Sequence, residues 1–218
     1  MFIQGASLGG IVTVRDLEAG LIPDVAGALL MCGASAGSRN WYNAFDLRTI
    51  YQAVCQDVSN AEMPTESWHE IPDLITGELQ FLQSLERCTG LVSLNLFDPA
   101  FVSLLQSSAQ RERLEKILAL SGLELEFLPL VLGYAVFELP RLVNDGNKLD
   151  GIRPFSNTGI DFGDPLINQS ITRLAALPSS RQALLDNYTP VGAIGDARVV
   201  GIHTSRDGLG KCWRSTCG

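Results

Sequence analysis

Apolar and polar positions fall into two regimes along this chain. A short apolar run, Met1-Phe2-Ile3-Gln4, leads into Gly5-Ala6-Ser7-Leu8-Gly9-Gly10, and residues 11–21 then interleave apolar positions with Arg15, Asp16 and Glu18. That interleaving predicts a helix packing one face on a sheet, ended by Gly20 and Pro23. Residues 25–32, Val-Ala-Gly-Ala-Leu-Leu-Met-Cys, form a continuous apolar run closed by Gly33, the pattern of a strand buried on both faces. Strand, turn, helix, strand is one βαβ unit. From residue 38 to about 190 the pattern changes to long helical stretches with polar breaks, at 43–54, 75–88, 101–120 and 124–139. An irregular loop rich in Gly, Asn and Asp follows at 144–163, then helices at 165–177 and 180–187. A third buried-strand pattern, 197–203, ends in Thr204-Ser205-Arg206-Asp207-Gly208. No internal repeat or low-complexity tract interrupts this order.

With 218 residues and 46% hydrophobic content, the chain holds one substantial core, with room for an inserted subdomain. Sixteen Lys and Arg against 24 Asp and Glu leave a net charge of −8, which argues against a sequence-independent grip on nucleic acid or an anionic membrane. No apolar run reaches the ~18 residues of a membrane span, and no charged segment followed by an apolar one opens the chain. The five cysteines, at 32, 55, 88, 212 and 217, contain no Cys-x-x-Cys pair and so no zinc-site spacing. Free buried thiols are the default expectation, Cys32 above all, and a bridge between Cys55 and Cys88 is left open by the sequence. No carboxylate and histidine cluster suggests a metal, and no cofactor is expected.

Gly5-Ala6-Ser7-Leu8-Gly9 is a Gly-x-Ser-x-Gly sequence between a predicted strand and a predicted helix. In such a turn the central residue takes a strained backbone conformation, its flanks must be small, and its hydroxyl stands clear of the sheet. Ser7 is therefore the candidate nucleophile, and the N–H of Leu8, at the helix start, the candidate oxyanion donor. A serine hydroxyl needs a histidine base, and the base a carboxylate that fixes its tautomer. Asp207, in a turn after the third strand, stands where that acid belongs; alone it reads as an ordinary Asp-Gly turn. Only His69 and His203 exist, and neither follows Asp207. Ser35, in Gly33-Ala34-Ser35-Ala36-Gly37, repeats the pattern but opens no clean helix, so it ranks behind Ser7. The opening also resembles the dinucleotide loop of short-chain dehydrogenases, but Ile11 stands where a glycine is needed and no Tyr-x-x-x-Lys pair occurs.

Taken together, Gly5-Ala6-Ser7-Leu8-Gly9-Gly10, the strand at 25–33 and the Gly201-to-Leu209 strand end resemble the αβ-hydrolase superfamily, in particular its capped serine esterases and peptidases. The resemblance implies an α/β fold: a partial parallel sheet from the elbow strand onward, with a large, mainly helical cap insertion. It divides the chain into a hydrolase core at 1–37, a cap or lid at 38–190, a core strand and acid turn at 191–209, and an atypical tail at 210–218. It implies Ser7 as nucleophile, Asp207 as acid and Leu8 as one oxyanion donor, acting on a small-molecule carboxyl ester or, less expected, a peptide. The early strands carrying the other oxyanion donor, and the histidine-bearing segment, have no counterpart before Met1 or after Leu209. The expectation is a core truncated at both ends, with the triad base missing and at most trace turnover. The alternative expectation is a non-catalytic member of that superfamily serving as a binding or interaction module.

Overall fold

A computed structural model describes residues 1–32, 37–93, 102–104 and 106–202. It is a mixed α/β structure that divides into two compact units, Met1–Trp41 with the chain from Gln182 onward, and Tyr42–Arg181.

The first unit is built on a parallel three-stranded sheet in the order β1 (Phe2–Ala6), β2 (Gly27–Met31) and β5 (Arg198–Ile202). Helix α1 (Leu8–Glu18) links β1 to β2. Register pairs Phe2 with Gly27 and Gly27 with Arg198, so all three strands end along one edge of the sheet. Side chains alternate between the faces. Gly5, Ala28 and Leu30 belong to the face that α1 covers, and both Ala28 and Leu30 are buried. Phe2, Met31, Val200 and Ile202 belong to the other face and are exposed, Phe2 at 83% and Val200 at 57%. This corrects the expectation of strands buried on both faces: an apolar run reports strand propensity, whereas burial needs a layer on each side. At the end of α1 the Glu18 carboxylate accepts the backbone N–H groups of Val191 and Gly192, both at 2.6 Å, which fixes the approach to β5.

The second unit is mainly helical. Helix α2 (Ser38–Cys55), which belongs to it from Tyr42 on, is buried around its whole circumference from Ala44 to Tyr51. Phe45 packs on Trp68 at 5.5 Å and on Phe155 at 5.8 Å between ring centroids, and Tyr42 meets Phe155 edge-on at 5.0 Å. Helix α3 (Glu78–Thr89) turns Phe81, Leu82, Leu85 and Cys88 inward at helical spacing and ends on Gly90, whose φ of 67° suits a residue without a Cβ. Cys55 and Cys88 form a disulfide, with Cα atoms 5.7 Å apart, that ties the ends of α2 and α3 together.

The helix expected over 101–120 instead divides. Val102–Leu104 is strand β4, paired antiparallel with β3 (Leu91–Ser93), and α4 (Ser108–Ser121) starts behind a reciprocal capping box between Ser107 and Gln110. Residues Leu125–Asn144 run as a 3-10 turn, helix α5 (Leu128–Gly133), a π-helical turn (Tyr134–Glu138) and helix α6 (Leu139–Asn144). Among the described residues, no single helix is long and apolar enough to cross a membrane.

Helix α7 (Pro165–Ser170) stops well short of the expected 177. The buried Asn157 side chain takes over there, accepting from the Leu174 N–H and donating to the Thr172 carbonyl, so the chain leaves the helix to meet it. Helix α8 (Pro178–Tyr188) follows.

Candidate active site

The elbow is set by a crowded crossing of β1 and α1. A Cβ placed on Gly5 would lie 2.2 Å from the Gly9 carbonyl oxygen and 2.4 Å from Thr13 Oγ1, both far inside contact distance. Thr13 in turn donates to that same carbonyl at 2.8 Å, a bond within α1 that fixes its hydroxyl over Gly5. The chain therefore has to reverse within one residue. Ser7 does so with φ 49° and ψ −124°, a conformation that costs a non-glycine residue of order 1–3 kcal/mol. Its N–H donates to the Met31 carbonyl at 3.2 Å and its carbonyl accepts from Gly10 at 2.9 Å, so the strained residue is held at both ends. The second glycine differs from expectation. A Cβ on Gly9 meets nothing within 4 Å, so only the first flank must be small for packing reasons.

Ser7 is exposed, and its side chain does not cap α1. Leu8, 67% exposed, opens the helix, and no acidic residue lies in that first turn to offset the positive end of the helix dipole. A hydroxyl thus stands beside backbone N–H groups that have no helical acceptor. Chemically this suits attack on a carbonyl whose oxygen gains charge near the Leu8 N–H.

Cys32 lies one step beyond the Ala6–Met31 pair, in register with Ser7, and donates its N–H to the Ile202 carbonyl at 2.7 Å. Its thiol is free and exposed, which corrects the expectation of a buried one. The reason is its position: with φ 45° it leaves the strand rather than ending it inside the layer. Asp207, His203 and Ser35 lie outside the described residues, so of the predicted site only Ser7 and Leu8 can be placed.

His69 belongs to the second unit. It is 9% exposed, its Nε2 lies 3.3 Å from Glu70 Oε1, its Nδ1 is buried without a partner, and its carbonyl accepts from Asn144 Nδ2 at 2.8 Å. Burial first, then Arg153 and Arg48, hold the imidazole below its ordinary pKa, while Glu70 pulls the other way.

Two buried charges on α2 escaped the sequence reading. Asp46 is 7% exposed with no partner for Oδ1, and burial pushes its carboxyl up to about 7. Arg48 is fully buried and donates to five carbonyls: Trp68 at 3.0 Å, Glu70 at 3.2 Å, Ala135 at 3.4 Å, Pro64 at 3.1 Å and Ser67 at 3.4 Å. Burial lowers its pKa to about 10. The Ala135 carbonyl lies in the π-helical turn, where the changed bonding register leaves a carbonyl for an outside donor. The available signal was the spacing: Asp46 and Arg48 lie two positions apart, about 200° round a helix, so no single wet face could hold both. Among the described residues no group of three or more His, Cys, Asp or Glu side chains is placed to hold a metal ion.

Comparisons of this chain with protein-family models, with curated proteins and with solved structures find no match.

Proposed function

We propose that this chain is a serine acyl-transfer hydrolase of αβ-hydrolase type, acting on a carboxylic ester, with Ser7 as nucleophile and the Leu8 N–H as an oxyanion donor. The observation that carries the reading is the Ser7 backbone, φ 49° and ψ −124°, at a strand-to-helix turn where Gly5 has no room for a Cβ. A strained residue persists only where its surroundings force it, and a strained exposed serine at a helix N-terminus is the arrangement acyl transfer uses. In the reaction, Ser7 Oγ bonds to the carbonyl carbon as its proton passes to a general base. The alcohol then leaves carrying a proton, and water cleaves the acyl-enzyme to return the serine. Asp207 is assigned as the acid that orients the base. The peptide bond is the less favoured substrate, because an amine leaves less readily than an alcohol.

A covalent label reads the nucleophile itself and does not need every step of turnover, so it tests the reading more directly than a rate. Prolonged exposure to an alkyl fluorophosphonate should form a phosphorus–oxygen bond at Ser7 with loss of fluoride, read as one adduct on the residue 1–15 peptide. No adduct, or the same adduct in Ser7→Ala, would remove the proposal. The alternative, a non-catalytic binding module, draws on the exposed apolar sheet face bearing Phe2, Val200 and Ile202. It expects an unlabelled Ser7.

A further inference from the structure

The second unit holds a clamp that none of the chemistry at Ser7 uses. Segment 64–70 turns four of its carbonyls toward the Arg48 guanidinium: Pro64, Ser67, Trp68 and Glu70 all accept from it. Arg48 is fully buried, and burying a guanidinium is expensive unless its donors are filled; with Nε already lacking a partner, the two terminal nitrogens depend on these carbonyls, so the segment and the charge hold each other in place. His69 sits inside this clamp. Its ring lies 5.9 Å from that of Trp68, and its carbonyl is tied to α6 through Asn144.

The charges facing the imidazole come from three places. Arg48 faces it from α2, Arg153 from the loop after α6, and Glu70 from its own segment, where that carboxylate is largely exposed. Nε2 has Glu70 as partner; Nδ1 is buried with none. A neutral imidazole leaves Nδ1 unprotonated and adds no charge. A second proton would create a buried donor without an acceptor, and a cation among two guanidiniums balanced by one solvated carboxylate.

We infer that segment 64–70 is an acid-released clamp: the neutral His69 ring permits Arg48 to hold the segment on α2, and protonation of that ring expels it. Release exposes Trp68 and frees four carbonyls from Arg48, so the change is local to this segment and to the face of α2 beneath it. Mild acidity is the trigger, because an imidazole ordinarily gains its charge in that range.

Asp46 titrates in an overlapping range with the opposite effect, since protonating it relieves a buried carboxylate. The test therefore uses the full chain in four forms: unaltered, Asp46→Asn, His69→Gln, and the double variant. Amide hydrogen exchange is measured at about pH 5 and about pH 7.5, corrected for intrinsic exchange. The expected result is a loss of protection at acid pH across residues 61–75 in the unaltered chain and in Asp46→Asn, with α3 still protected. Both His69→Gln forms should keep the same protection at the two values. An acid loss that persists in His69→Gln, or none in Asp46→Asn, overturns the clamp. If His69→Gln does not fold, the ring resonance of His69 in the unaltered chain decides the matter. Its titration midpoint must fall below 6.5 and coincide with the loss of protection; a midpoint at or above that value, or one separated from the loss, overturns it.

Discussion

Asp46 offers the sharpest quantitative test of how the second unit is held. Its carboxyl is 7% exposed, has no partner for Oδ1, and is pushed by burial from 3.8 to about 7. At ~1.4 kcal/mol per pKa unit, that gap corresponds to about 4 kcal/mol. Because the group is buried rather than screened by solvent, most of this is felt by the fold. The folded-state value lies above the unfolded one, so the stabilising contribution is fully present below about 3.8 and is lost as pH rises through about 7. Asp46→Asn removes the titration while keeping size and shape. Its new amide donors find no acceptor, at a cost of about 1 kcal/mol. The net expectation is a variant about 2–3 kcal/mol more stable than the parent at pH ~8, with the difference vanishing or reversing near pH ~4. Urea unfolding of both proteins, read at each pH with the slope held common, measures this directly. A stability difference that stays constant across the pH range would refute the reasoning, because it would mean that the carboxylate has a satisfied environment.

Three further perturbations have defined outcomes. Gly5→Ala drives a Cβ to 2.2 Å from the Gly9 carbonyl and should cost about 3 kcal/mol or more and abolish fluorophosphonate labelling of Ser7; Gly9→Ala meets nothing and should be neutral or gain about 1 kcal/mol, both read by thermal melts. Arg48→Met strands five carbonyl acceptors and should destabilise the chain by about 3–5 kcal/mol in urea, whereas a loss under 1 kcal/mol would mean that water already serves those carbonyls. Reduction of Cys55–Cys88, which closes a loop of sequence separation 33, should lower stability by about 3–4 kcal/mol; alkylation of both thiols in the untreated native chain after denaturation without reductant would show that the bridge is absent.

The sequence was most readable where local sterics decide the structure. Gly5, Ser7 and the apolar runs on either side predict a strand, a sharp turn and a helix, and the positive φ at Ser7 lies where the motif puts it. The α2 and α8 helices and the irregular 144–163 loop were also legible from periodicity and composition. Less legible were features set by partners distant in sequence. Asn157 shortens α7 by drawing residues 172–174 into its own hydrogen bonds, and nothing within 165–177 announces this. The open face of the sheet was invisible for a related reason: Val200 and Ile202 read as buried because they are apolar, and apolarity is a property of the residue while burial belongs to its neighbours.

The two charges on α2 join these points. Periodicity assigns a helix one wet face, and Asp46 and Arg48, two positions apart, cannot both lie on it. The helix has no wet face between Ala44 and Tyr51, so both charges go inward and meet different fates. Arg48 offers five donors in a rigid fork and finds a ring of backbone carbonyls, one of them at a π-helical turn. Asp46 is an acceptor that needs N–H groups, and a helix interior supplies none, because its own amides are already bonded. The terminal nitrogens of a buried guanidinium can therefore be satisfied by backbone alone, leaving only Nε of Arg48 without a partner, while a buried carboxylate in the same helix stays under strain. For that reason substitution at Arg48 should destabilise the fold, whereas Asp46→Asn should strengthen it at alkaline pH.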